Sequence, residues 1–190
     1  MGMKEAFDTF FEKNNNSWKR QWGTLPTVPN CEKFANCPLI TSTVNEKKDL
    51  EWQPKLQTEP IDFKPIEKSL GFEINDQIKE YLSTYWFLSL EGRTGMVEQL
   101  VLDEVLPKSQ QRFLEDVEFF FNKKELHYLE HGNYFLIGGF CSIDGDDSYL
   151  IHVNNDTGEV TAVQNFDKVS IKIADSIEDL LMNMRGKWDF

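Results

Sequence analysis

Cysteine is scarce. Cys31, Cys37 and Cys141 are too few, and odd in number, for a disulfide framework, so reduced thiols in a cytosol are expected. Positive charge is also in short supply: 20 Lys and Arg stand against 32 Asp and Glu, a formal net charge of −12. That balance excludes a typical nucleic-acid binder, which needs a positive surface for phosphates, and argues against unaided adsorption to anionic lipid. No apolar run approaches a membrane span. The first residues, Met1 to Asp8, carry acids where an export signal needs a basic and then an apolar region. Phosphate-cradling glycine loops and a Gly-x-Ser-x-Gly elbow are both missing, and no residue is assigned a catalytic role.

What remains is substantial. The 190 residues are 40% hydrophobic and include 15 Phe, enough for one domain with a sizeable core. Met3, Phe7 and Phe10 recur at helical spacing, with Phe11 beside them, and predict an N-terminal helix within about residues 1–22. Six of the seven prolines then fall between Gly23 and Pro65. Proline cannot donate to a strand ladder, so about 23–65 reads as an irregular arm with short strands at most. Phe34, Leu39, Ile40, Leu50, Trp52 and Phe63 give this arm the means to pack on the domain.

Regular structure resumes with a short helix from Pro65 to Leu70. Asn75 then caps a helix whose apolar face is Ile78, Tyr81, Leu82 and Tyr85. Phe87–Leu90 and Val97–Leu102 flank Glu91 to Gly95 and predict a hairpin. A helix opens near Pro107 and Ser109 and turns Phe113, Val117, Phe120 and Phe121 inward. Tyr134–Phe140, Tyr149–Val153 and Glu159–Val163 read as strands joined by turns, and Ser176 caps a closing helix. Short turns cannot connect parallel strands, so the fold class is α+β, with a mainly antiparallel sheet and helices packed around it.

The chemistry-bearing residues form few patterns. His127 and His131 share a helical spacing, but a zinc site would need His152 or Cys141 from another segment. Asp144 to Asp147 suggests calcium, yet an EF-hand loop beginning there would place Tyr149 and Asn155 where glycine and glutamate are needed. No metal or cofactor is therefore assigned. The charge distribution is more informative. From Leu126 to the end there are four bases and eleven acids, whereas residues 1–40 hold five bases and four acids. Acid gathered on one face would steer a basic partner.

Several short words appear in a recognisable order: Ser17-Trp18 after the first helix, Cys37-Pro38-Leu39-Ile40-Thr41-Ser42, then Leu50-Glu51-Trp52-Gln53-Pro54, Phe63, Ile66-Glu67 and Leu70, and late in the chain Asn155-Asp156-Thr157-Gly158-Glu159-Val160. In order and content they resemble the Syd family, the bacterial SecY-interacting proteins of the SUKH superfamily. The resemblance implies one Syd-like domain over 1–190 and a non-enzymatic cytoplasmic protein without a cofactor. It further implies association with the cytoplasmic side of the inner membrane by binding basic SecY loops through an acidic surface, without inserting into lipid. Positive-inside SecY loops would suit such a surface. Candidate partner-binding residues are Glu51, Trp52, Asp144, Asp146, Asp147, Asp156 and Glu159. Trp52 reads more readily as an anchor of the arm on the core than as the border of a binding groove. The alternative within the superfamily is an immunity protein that neutralises a basic toxin such as a nuclease.

Overall fold

The structure is a computed structural model. It describes residues 2–34, 36–44, 49–95, 97, 99–122, 133–141, 148–164 and 170–189. The first helix, α1 (Met3–Trp22), buries Met3, Ala6, Phe7, Phe10 and Phe11 on one face, as their spacing predicts. Gly23 stops it in a left-handed conformation, φ 71°, with its N–H donated to the Lys19 carbonyl.

The proline-rich arm resolves into short strands. β1 (Thr27–Val28), β2 (Ile40–Val44) and β3 (Asp49–Trp52) make a small antiparallel sheet in the order β1-β3-β2. β4 (Lys55–Leu56) pairs instead with β5 (Tyr85–Trp86). Leu39, Leu50, Trp52 and Phe63 are buried, so the arm is held down by its apolar residues.

Pro65 lies in the first turn of α2 (Lys64–Leu70), where a missing N–H costs nothing. Asn75 caps α3 (Asp76–Thr84) by accepting the Gln77 N–H at 3.0 Å. Glu67 braces this connection: its Oε1 accepts from Lys79 Nζ at 2.7 Å and from the Ile74 N–H at 3.0 Å. The Lys79 hydrogen bond, opposed by burial and aided by the Ile74 amide, holds the Glu67 carboxyl below the usual carboxylate range. A carboxyl with a lowered folded-state pKa stabilises fully above its unfolded value of about 4.3 and loses that contribution as pH falls through the folded value. Glu67→Gln should therefore lower stability by about 1 kcal/mol at neutral pH, with the gap to wild type closing in acid. Urea titrations at neutral and acid pH measure this, and a gap independent of pH would refute it.

Among the described residues the main sheet has seven strands in the order β11-β10-β9-β8-β7-β6-β12, and every described pairing is antiparallel. They are β6 (Leu90–Arg93), β7 (Leu100–Leu102), β8 (Tyr134–Cys141), β9 (Ser148–Asn154), β10 (Val160–Gln164), β11 (Ser170–Ala174) and β12 (Arg185–Gly186). The helices α4 (Gln110–Asn122) and α5 (Ile177–Asn183) and a short 3-10 turn at Glu32–Phe34 complete the described elements, and the expected α+β class holds. Phe10, Leu90, Leu102, Ile151, Val153, Leu180 and Met184 belong to one hydrophobic cluster joining helices and sheet.

Several details differ from the sequence reading. Tyr85, read as the last apolar position on the helix after Asn75, stands instead in β5, because α3 ends at Thr84 and the chain turns extended to pair with β4. The hairpin strand begins at Leu90 and includes Gly92, which pairs with Leu100, so the turn lies later than Glu91 to Gly95. Gly92 is needed inside the strand because a Cβ there would lie 2.7 Å from Met184 Cε and 2.8 Å from the Arg185 carbonyl. Strands β11 and β12 were not expected. The first is a mostly exposed edge strand with a weak apolar pattern, and the second is two residues long. Finally, β12 threads between β6 and α1, where a Cβ on Gly186 would meet Ser17 Cβ at 2.4 Å.

Candidate functional site

A cleft of about 550 Å³ opens between α3, α4, strand β8 and the segment that leaves β7. The helical period of α4 turns Phe113, Val117 and Phe120 toward the sheet and leaves Asp116 at the edge. Phe120 and Phe121 meet Phe135 of β8 at centroid distances of 5.9 and 4.9 Å. Phe119 lies at the cleft with 57% of its surface exposed.

The segment after β7 is pinned by backbone hydrogen bonds. The Asp103 N–H donates to the Ile137 carbonyl at 2.8 Å, while Phe87 and Val105 exchange two bonds of 2.9 and 3.0 Å. Asp103 and Glu104 are thus presented from fixed backbone. Lys33 of the arm pairs with Glu104 at 2.6 Å, and Lys108 pairs with Asp116. Tyr81 of α3 reaches the cleft from below with only 2% of its surface exposed, and its hydroxyl has no hydrogen-bond partner among the described residues. Burial, with the Asp103 carboxylate nearby, pushes the Tyr81 hydroxyl well above its ordinary pKa and keeps it a donor. Aromatic walls, one buried donor and a rim of three carboxylates with two lysines make a cleft of mixed charge that can receive an amphipathic side chain.

The residues picked out from the sequence lie elsewhere. Trp52 is 4% exposed in the hydrophobic cluster and anchors β3. Glu51 works inside the arm: its carboxylate accepts from the Leu25 N–H at 2.9 Å and from Ser42 Oγ at 2.6 Å. Asp156 is exposed in the turn between β9 and β10. Glu159 shares Lys172 with Asp175, at 2.8 and 2.7 Å, which raises the lysine's pKa; the Asp175 hydrogen bond is the larger cause. No hydrogen bond or ion pair joins Glu51 or Trp52 to Asp156 or Glu159 among the described residues. Asp144, Asp146 and Asp147 lie outside the described residues, as do His127 and His131. No group of three or more metal-ligating side chains occurs among the described residues.

The Asn155 word has a structural job that its sequence did not announce. Asn155 is buried, accepts the Asn75 N–H at 2.8 Å and donates to the Glu73 carbonyl at 2.8 Å. Asn75 Nδ2 returns a bond to the Asn155 carbonyl at 3.0 Å. The motif ties the β9–β10 turn to the start of α3. Asp103, Glu104, Asp116 and Tyr81 escaped the sequence reading because they come from three separate segments. Only the inward period of α4 pointed toward them.

A large antiparallel sheet, the helices packed around it and an aromatic cleft with a rim of mixed charge define an α+β protein. The family model described as Syd protein (SUKH-2) matches residues 4–124, well over half of the sequence, and the chain belongs to that family. The matched span contains the Ser17-Trp18, Cys37 to Ser42 and Leu50 to Pro54 words, whereas the Asn155 word falls beyond it. No curated protein matches the chain.

Proposed function

We propose that this protein is a non-enzymatic partner of the SecY channel that receives a basic cytosolic SecY loop at the α4 cleft. Membership of the Syd family is the observation that carries this reading. The cleft supports it in that Asp103, Glu104 and Asp116 line it beside exposed aromatic surface; Lys33 and Lys108 line it too and pair with Glu104 and Asp116, so an incoming basic loop would exchange with these lysines. Acidic groups so placed act mainly on encounter rate and partner choice. Docking there would hold the protein on the cytoplasmic side of the inner membrane through its partner. No described helix is long and apolar enough to cross a membrane.

Co-sedimentation with vesicles that contain excess SecY complex, against vesicles without it, tests the proposal. Binding should depend on SecY and fall several-fold when salt is raised from about 50 mM to about 500 mM, because screening shortens the reach of surface charge. Replacing Asp103 and Glu104 with Asn and Gln should weaken it further. Equal sedimentation with both vesicles would overturn the SecY reading and transfer the weight to a soluble basic toxin as partner.

A further inference from the structure

Two lysines stand on the rim of the α4 cleft, and they come from different segments. Lys33 lies in the short 3-10 turn Glu32–Phe34 of the arm, and its ammonium reaches Glu104 at 2.6 Å. Lys108, on the connection into α4, pairs with Asp116 of that helix. The turn that carries Lys33 is held without its charge. The Phe34 N–H donates to the Cys31 carbonyl and the Cys37 N–H to the Phe34 carbonyl, both at 3.0 Å, while Phe34 packs on the core. An exposed ion pair adds little stability, because water solvates both partners nearly as well. The arm therefore does not depend on the Lys33 charge for its attachment.

The seats these lysines fill belong to a site that is otherwise incomplete. Among the described residues, Asp103, Glu104, Asp116 and the two lysines give the cleft a formal charge of −1, and without the lysines it would be −3. The Glu104 side chain is 26% exposed against 54% for Lys33, so the carboxylate is the covered partner and the lysine the one that can swing out into solvent. Below them the Tyr81 hydroxyl is buried, with no partner among the described residues. A buried donor left unpaired is costly and marks a site completed by a group from outside. The molecule itself shows what the rim accepts: an ammonium on an aliphatic stem beside aromatic surface, Lys33 lying also 5.2 Å from the Phe34 ring centroid.

We infer that Lys33 and Lys108 are intramolecular competitors for the bases of the docking partner. The inference rests on the reading of the cleft as the docking site and adds a threshold to it. In the unbound protein each lysine is tethered beside its carboxylate at high effective concentration, so a lone base in solution does not displace it. A loop that carries several bases on one chain displaces both, restores each ion pair and gains the aromatic wall, where Phe119 is 57% exposed. The released lysines return to water at little cost. The two lysines thus determine how basic a partner must be, and weakly basic chains are turned away.

The test uses the full chain and a dye-labelled hexalysine peptide, followed by fluorescence anisotropy at about 50 mM salt. Lys33→Gln should tighten binding about threefold, and Lys33→Gln with Lys108→Gln about tenfold. Lys55→Gln, which removes an equal charge on β4, should change it little. In a Glu104→Gln background the Lys33→Gln gain should shrink to that of Lys55→Gln, because the contested seat is gone. Unaltered thermal melts would show that these surface variants still fold. A Lys33→Gln gain no larger than the Lys55→Gln control would overturn the inference. So would a gain that persists undiminished with Glu104→Gln, which is plain charge repulsion. The same variants on vesicles with and without SecY separate the inference from the docking reading. A gain with hexalysine but no SecY dependence leaves the competition standing and removes SecY as the partner. SecY-dependent binding that the lysine variants leave unchanged keeps SecY and overturns the competition.

Discussion

Phe7→Ala should cost about 3–5 kcal/mol of folding stability, a large share of the 5–15 kcal/mol that holds a typical domain together. Phe7 is fully buried at the hub of an aromatic cluster. Its ring lies 5.5 Å from Phe11, 5.6 Å from Tyr81, 5.7 Å from Tyr85 and 5.3 Å from Phe87. Truncation removes the transfer free energy of the ring and leaves a cavity whose walls belong to α1, α3 and the segment after β5, so no single element can move in to fill it. The Tyr85 hydroxyl donates to Asp8 at 2.5 Å, which further fixes one wall. Thermal melts should show a drop of roughly 10 °C, and Phe7→Leu a smaller one. A loss under about 1 kcal/mol would mean that the helix is not integral to the core.

Asn155→Ala should destabilise by about 1–3 kcal/mol, through a different mechanism. The buried side chain satisfies two backbone groups, the Asn75 N–H and the Glu73 carbonyl, through part-buried hydrogen bonds. Removing it strands both, and a buried unpaired donor or acceptor costs about 1–3 kcal/mol. Asn155→Asp separates this account from simple loss of volume. An ionised aspartate still accepts the Asn75 N–H but sets a charge against the Glu73 carbonyl, so at neutral pH it should be no better than alanine. Its folded-state pKa would be raised, and acid should restore part of the stability as the protonated carboxyl becomes a donor. Urea midpoints at neutral and acid pH, with the slope unchanged, measure this. An aspartate variant as stable as wild type at neutral pH would refute the hydrogen-bond assignment.

The two sites show what a sequence can and cannot announce. Met3, Phe7 and Phe10 repeat with the helix period, and such a repeat has one stable outcome when the residues are apolar. Asn155 has no period. Its importance arises from Asn75, eighty positions earlier, and sequence spacing carries no record of that meeting. Trp52 lay between these cases. Its type and its proline-bounded setting suited either a groove or an anchor, and its burial makes it an anchor.

By itself the sequence determined the helix faces, the caps at Asn75 and Ser176, most strands of the sheet, the α+β class and the family. Each is written in short-range periodicity, in cap and turn chemistry, or in an ordered run of short words. Tertiary structure alone decided the rest. It brought Asp103, Glu104, Asp116 and Tyr81 around one cleft, and it drew Trp188 and Lys187 back onto the end of α1. It also made a strand of Arg185–Gly186, which has no apolar pattern and pairs only because β6 offers an open edge and Ser17 leaves room for a glycine. Local patterns record how a residue meets its near neighbours along the chain, while sites are assembled from residues that meet only after the core has closed.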